Sequence, residues 1–223
     1  MNEPWFYAVW IVGSYLLGSV MIGVLVPRLA GVDIRKVGTG NPGTANIWRE
    51  VGAKYALSVF VLDIAKGAAV TVPIYVLDVP RWVAFVSIAA LLAGQFWPVF
   101  FRFKGGTGMA AVFGTVAGLL PWGAVVGGPL GALFMAKTKN VGWAGGIFLG
   151  SSLIVGGILH TVVFETYRGF WDNDYISIIA LAFGMAAVFI KNVFQYRGMA
   201  PPSERPKGPR QQAATKSAGA NPT

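Results

Sequence analysis

Met109–Ala136 reads MAAVFGTVAGLLPWGAVVGGPLGALFMA, without a single charged residue. Its 28 residues would make about 42 Å of helix at 1.5 Å each. One crossing of a bilayer's hydrocarbon core takes about 30 Å. The stretch is therefore too long for one crossing and too short for two full ones. Pro121, Gly127, Gly128 and Pro129 lie inside it, where a chain can turn back. Whether it crosses or returns decides the side on which everything after it lies.

Composition places the whole chain in a membrane. Of 223 residues 55% are hydrophobic and 12% are charged, and the mean hydropathy is +0.60. A soluble domain carries about 25% charged residues. Several apolar runs of about 20 residues point to a polytopic α-helical protein rather than a barrel of short alternating strands. Thirty glycines suit closely packed membrane helices. The N-terminal MNEPWFY carries no Lys or Arg, so the first apolar run is expected to be a retained helix, not a signal peptide.

Charge then resolves the 109–136 question. Arg35, Lys36, Arg49 and Lys54 place the loop 29–54 in the cytoplasm and the N-terminus outside. A single crossing of 109–136 would put Lys137, Lys139 and the basic tail outside, and Glu165, Asp172 and Asp174 inside. A return reverses every one of these unfavourable placements. The expectation is an all-α integral membrane protein of about seven helices, N-terminus outside and C-terminus cytoplasmic. Its helices are 5–28, 53–77, 81–103, two short ones (or a re-entrant hairpin) around Pro121–Pro129, 141–164 and 175–195. Gly13, Gly18 and Gly23, and the pair Gly146/Gly150, offer small-residue packing faces. Residues 1–197 form the membrane domain, and 198–223, rich in Pro, Ala and basic residues, are expected to be disordered.

Several chemistries are excluded. There is no cysteine, hence no disulfide, thiol nucleophile or thiolate metal site. One histidine and nine carboxylates argue against a metal centre. A net charge of +9 in such a chain marks cytoplasmic loops, not nucleic-acid binding.

Two polar loops share the cytoplasmic side. Gly31–Arg49 reads GVDIRKVGTGNPGTANIWR. Arg35, Lys36 and Arg49 serve as topology signals in any case. The glycines, hydroxyls and amides of Gly38-Thr39-Gly40-Asn41 and Gly43-Thr44-Ala45-Asn46 look built to surround a small anion. Lys104-Gly105-Gly106-Thr107-Gly108 precedes a helix, so its backbone N–H groups suit a phosphate, although a flexible turn reads the same way. Asp63 and Lys66 sit one helical turn apart within the membrane, either as a self-neutralising pair or as a charge reaching toward the loops. His160, late in an apolar helix, reads as a buried structural histidine.

Three stretches carry a resemblance: Asp33-Ile-Arg-x-x-Gly-Thr-Gly-Asn-x-Gly-x-Ala-Asn-x-x-Arg49, Leu62-Asp-Ile-Ala-Lys-Gly67, and Gly94-Gln-x-x-Pro-Val-Phe-x-x-Phe-Lys-Gly-Gly-Thr-Gly108. In this order, over residues 13–120, they resemble the PlsY-type glycerol-3-phosphate acyltransferases. The resemblance implies a seven-helix inner-membrane enzyme that moves an acyl group from acyl-phosphate to glycerol 3-phosphate. The product is lysophosphatidate, and no coenzyme A, carrier protein, cofactor or metal takes part. It implies that Thr39 (serine in the family), Arg49 and Lys66 are catalytic. It implies substrate and phosphate contacts from Ser19, Arg35, Gly40, Asn41, Asn46, Asp63, Lys104, Gly105, Gly106, Thr107, Gly108 and Asn192. The implied protein is a monomer among membrane lipids, its site facing the cytoplasm.

Some positions depart from the family pattern. Gln95 replaces a histidine, Thr107 a lysine and Met21 a proline, while Phe189 and Gln195 replace a histidine and an arginine. Two other readings therefore stay open. One is a divergent paralogue that binds a phospho-substrate or lipid but turns over poorly. The other is a small transporter, against which stands the crowding of polar groups on one side.

Overall fold

The computed structural model describes residues 4–76, 79–138, 141–162, 190 and 202–219. The described residues form α1 (Pro4–Ser19), α2 (Ile22–Arg28), α3 (Thr44–Glu50), α4 (Ala53–Val76), α5 (Arg81–Phe96), α6 (Met109–Leu119), α7 (Pro121–Thr138), α8 (Val141–Val162) and α9 (Pro209–Gly219). Short 3-10 turns occupy Ile34–Lys36, Val99–Phe101 and Pro202–Glu204. Among these, Pro4–Arg28, Ala53–Ile74 and Trp82–Phe101 are long and apolar enough to cross a membrane.

The decisive stretch is indeed two helices, but it breaks earlier than expected. The chain leaves helical geometry at Leu120, and α7 starts on Pro121 and runs straight through Pro129. Proline is well suited to a first helical position, where its missing N–H has no helical partner to lose. The expected break around Pro121–Pro129 is thus replaced by a single one at its N-terminal edge, Leu120.

Helix one also differs: it is broken at Val20–Met21 into α1 and α2. The third helix ends at Phe96, because Trp97 precedes Pro98 and a residue before proline is driven out of the α region. Residues 202–219, expected from composition to be disordered, hold a 3-10 turn and a helix that packs on α3. The expected last helix, 175–195, with Asn192, lies outside the described residues.

Helices pack chiefly in the pairs α1 with α5, α4 with α6, and α7 with α8. Two of these pairs meet through reciprocal glycines. A Cβ on Gly18 would fall 2.1 Å from the Leu91 carbonyl oxygen, and one on Gly94 2.1 Å from that of Tyr15. A Cβ on Gly67 would fall 2.3 Å from the Ala111 oxygen, and one on Gly114 2.0 Å from that of Ile64. In a membrane, where apolar burial gives helices little reason to associate, such backbone approach supplies the dispersion contacts. The expected faces are only partly used. Gly18 and Gly23 are in close contacts, whereas Gly13, Gly146 and Gly150 face open space. On the α7–α8 seam the small residues are Gly123 and Gly127 of α7, against Ser152 and Phe148. Spacing marks a possible face, but the partner decides which face is used.

Candidate active site

The first polar loop is held by its own side chains. Asp33 caps the 3-10 turn, accepting from the Arg35 N–H at 3.2 Å, and fully buried Ile34 anchors it to the apolar cluster around Met21, Val24 and Ile47. Gly38 and Gly40 take positive φ, +55° and +67°. Asn46, on α3, bridges the loop: its Oδ1 accepts from the Thr39 N–H at 3.0 Å and its Nδ2 donates to the Val37 oxygen at 3.1 Å. The Thr39 hydroxyl accepts from the Asn41 N–H at 3.4 Å. Asn41 Oδ1 is buried and has no hydrogen-bond partner among the described residues, a polar atom that wants a donor.

The second loop follows a strained turn, in which Arg102 and Phe103 both hold positive φ. Gly105 and Gly106 then lie against the end of α5. A Cβ on Gly105 would fall 2.2 Å from the Gln95 oxygen and 2.4 Å from that of Phe96, and the Gly106 N–H donates to the Gln95 oxygen at 3.2 Å. A side chain is excluded at Gly105, whereas a Cβ on Gly106 would make only ordinary van der Waals contacts. Gly108, at φ +73°, precedes α6.

The two loops meet. Arg35 Nη2 donates to the Lys104 carbonyl oxygen at 2.6 Å, and its guanidinium lies 5.4 Å from the centre of the Phe101 ring. A Cβ on Gly106 would lie 3.5 Å from Asn41 Oδ1 and 3.4 Å from Pro42 Cγ. Arg49 and Lys104 are exposed, and neither side chain makes an ion pair among the described residues. Thr107 is buried.

Beneath the loops sits Lys66, 5% exposed. Its Nζ donates to the Val20 oxygen at 2.8 Å and to Gln95 Oε1 at 2.9 Å, and stands 2.9 Å from Asp63 Oδ1. Three oxygens match the three N–H groups of an ammonium. Lys66 thus joins the break in helix one to α4 and α5, rather than reaching the loops with a free charge. Ser19 is fully buried beside that break, and its Oγ accepts from the Val99 N–H at 3.4 Å.

The structure therefore gathers Arg35, Gly40, Asn41, Asn46, Lys104, Gly105 and Gly106 at one place, with Thr39 and Arg49 on the same loop and short helix. Asp63, Lys66 and Ser19 are buried near the break in helix one, with Lys66 linked to the second loop through Gln95. Two residues gain weight beyond the sequence reading. Gln95, noted there only as a departure, ties Lys66 to the second loop. Glu50 is 2% exposed and lies against Gly38. A charged residue at the end of a polar loop carries no sequence signal of burial.

Comparison with known proteins bears on the family and the fold. The model of the family described as "Glycerol-3-phosphate acyltransferase" matches residues 8–198. The chain is similar to glycerol-3-phosphate acyltransferases of Aquifex aeolicus (strain VF5), 43% identical over 115 residues, and Enterobacter sp. (strain 638), 45% over 106. These alignments cover 50% and 47% of this chain, and 58% and 52% of those proteins. The chain thus spans little more than half the length of the curated relatives it matches. The crystal structure of PlsY, an integral membrane glycerol 3-phosphate acyltransferase, in its glycerol 3-phosphate form superposes with a TM-score of 0.68. Identity is 26%, covering 94% of this chain and 98% of that one. The lysophosphatidic acid form gives 0.66 and 25%, covering 94% and 99%. This multi-pass integral membrane protein belongs to the glycerol-3-phosphate acyltransferase family.

Proposed function

We propose that this chain transfers an acyl group from acyl-phosphate to glycerol 3-phosphate, giving lysophosphatidate and inorganic phosphate. The observation that carries the reading is the junction of the two glycine loops through Arg35 and the Lys104 carbonyl, with the Arg49 and Lys104 side chains exposed beside it. Two phosphate-bearing substrates need two cationic groups, and a guanidinium can grip one phosphate with paired hydrogen bonds. Arg49 takes the phosphate of glycerol 3-phosphate, and Lys104, with N–H groups of its glycine loop other than that of Gly106, which Gln95 holds, takes that of the acyl donor. Thr39 orients the glycerol, and the unpartnered Asn41 Oδ1 accepts from one of its hydroxyls.

The glycerol oxygen attacks the acyl carbonyl carbon. The bond from that carbon to the phosphate oxygen breaks, and phosphate departs with the hydroxyl proton. Acyl-phosphate is an activated donor, so positioning and charge stabilisation supply the rate. Lys66 acts by holding the floor. The acyl chain lies among the apolar helices. In this reading seven helices cross the membrane, the N-terminus is outside, and the site opens to the cytoplasm beside the basic loops.

The test is an assay of the purified protein in detergent with acyl-phosphate and glycerol 3-phosphate. Lysophosphatidate and phosphate are expected in equal amounts, falling about 10²-fold in Arg49→Ala. No product, or product undiminished in Arg49→Ala, overturns the reading. The chain has no cysteine, so Lys36→Cys and Glu3→Cys report topology by impermeant labelling of cells: the second reacts and the first does not. A slow, binding-dominated paralogue is favoured by one observation, that Gln95 gives Lys66 an amide where the family has histidine. It would show tight glycerol 3-phosphate binding with little turnover in the same assay.

A further inference from the structure

The C-terminal segment reaches back to the first loop at three points. The Gly38 N–H donates to the Pro206 oxygen at 2.7 Å. The Gly208 N–H donates to Glu50 Oε2 at 2.7 Å. The Arg210 guanidinium donates to the Trp48 oxygen. These contacts answer a local problem. α3 has seven residues, too few to be stable alone, and beyond Ile47, whose oxygen accepts from Val51 and Gly52, the carbonyls of its last turn lack partners within the helix. Arg210 serves one of those carbonyls. Gly208 serves a carboxylate that is almost wholly buried and would otherwise be costly there.

The positions of the contacts matter more than their number. Trp48 and Glu50 are the two neighbours of Arg49, and Gly38 is the neighbour of Thr39. The tail grips the residues flanking both of the groups assigned to glycerol 3-phosphate. Gly38 is in turn wedged between Asn46 and Glu50: a Cβ there would lie 2.3 Å from Asn46 Oδ1 and 2.6 Å from Glu50 Oε1. A Cβ on Gly208 would fall 2.6 Å from the Glu50 backbone oxygen, so only glycine allows the approach.

We propose that Pro206–Arg210 is a clasp that presents Arg49 and Thr39 to glycerol 3-phosphate, with Glu50 and Gly208 as positioning residues. This rests on the acyltransferase reading above. Neither residue touches substrate; both act through the backbone on either side of those that do.

The test uses full-length Glu50→Ala, Glu50→Gln and Gly208→Val. KM for glycerol 3-phosphate is expected to rise about tenfold in Glu50→Ala and Gly208→Val, with KM for acyl-phosphate nearly unchanged. The corresponding kcat/KM falls up to about 10²-fold. Glu50→Gln keeps an oxygen for Gly208 and stays near the unmodified protein. Without substrate, hydrogen exchange in Val37–Glu50 rises in the two disruptive variants and is unaltered in α7 and α8. Losses confined to kcat, Glu50→Gln no better than Glu50→Ala, or exchange raised uniformly would each overturn the clasp. If the unmodified protein makes no lysophosphatidate, the reaction reading fails, and exchange in Val37–Glu50 alone decides the clasp: local loosening supports it, unchanged protection removes it.

Discussion

Lys66 Nζ donates to Gln95 Oε1 at 2.9 Å, and the backbone oxygen of the same glutamine receives the Gly106 N–H at 3.2 Å. One residue thus couples a buried ammonium to the second glycine loop. Gln95→Leu removes a neutral acceptor from a charge that is only 5% exposed. The expected cost is about 1–3 kcal/mol, read as a lower midpoint of thermal unfolding in detergent. Gln95→His offers a ring nitrogen to the ammonium and recovers most of the loss. An unchanged midpoint in Gln95→Leu contradicts the coupling.

Arg35 joins loops whose residues are 69 positions apart, through a hydrogen bond to Lys104 and a stack on Phe101. Lysine keeps the charge but lacks the flat guanidinium that does both at once. Arg35→Lys is expected to reduce kcat/KM for glycerol 3-phosphate about tenfold, with a loss of stability no larger than about 1 kcal/mol from the weakened stacking. Activity equal to the unmodified protein would show that the loops meet without this link.

Gly105 packs on the carbonyls of Gln95 and Phe96, which are backbone atoms and cannot swing aside. Gly105→Ala must therefore displace the loop, and activity is expected to fall by about 10²-fold. Gly146→Ala is the matching control. It lies in α8 with nothing within 4 Å, and alanine there is expected to be neutral or to stabilise by about 0.5–1 kcal/mol. Both variants are compared by assay and by thermal unfolding. Equal behaviour would remove the argument for close backbone approach.

The sequence by itself determined that the chain is helical and membrane-embedded, because charge depletion and apolar run length are properties of composition. It determined that 109–136 is two helices, from its length and the charges on either side, but not that the break falls at Leu120 before Pro121 while Gly127, Gly128 and Pro129 stay helical. It also identified both glycine loops, whose need for small residues and positive φ is local. Other features needed the tertiary structure. Whether Asp63–Lys66 was a closed pair or a reaching charge depended on the Val20 carbonyl and Gln95, which lie 46 and 29 residues away. Which glycines pack depended on the partner helix: Gly67 meets Ala111, while Gly146 meets nothing. Glu50 and Gly208 come together over 158 residues. A local pattern records what the backbone can adopt; the partners that complete a buried charge or a short helix come from elsewhere in the chain, and only the packed fold brings them within hydrogen-bond distance.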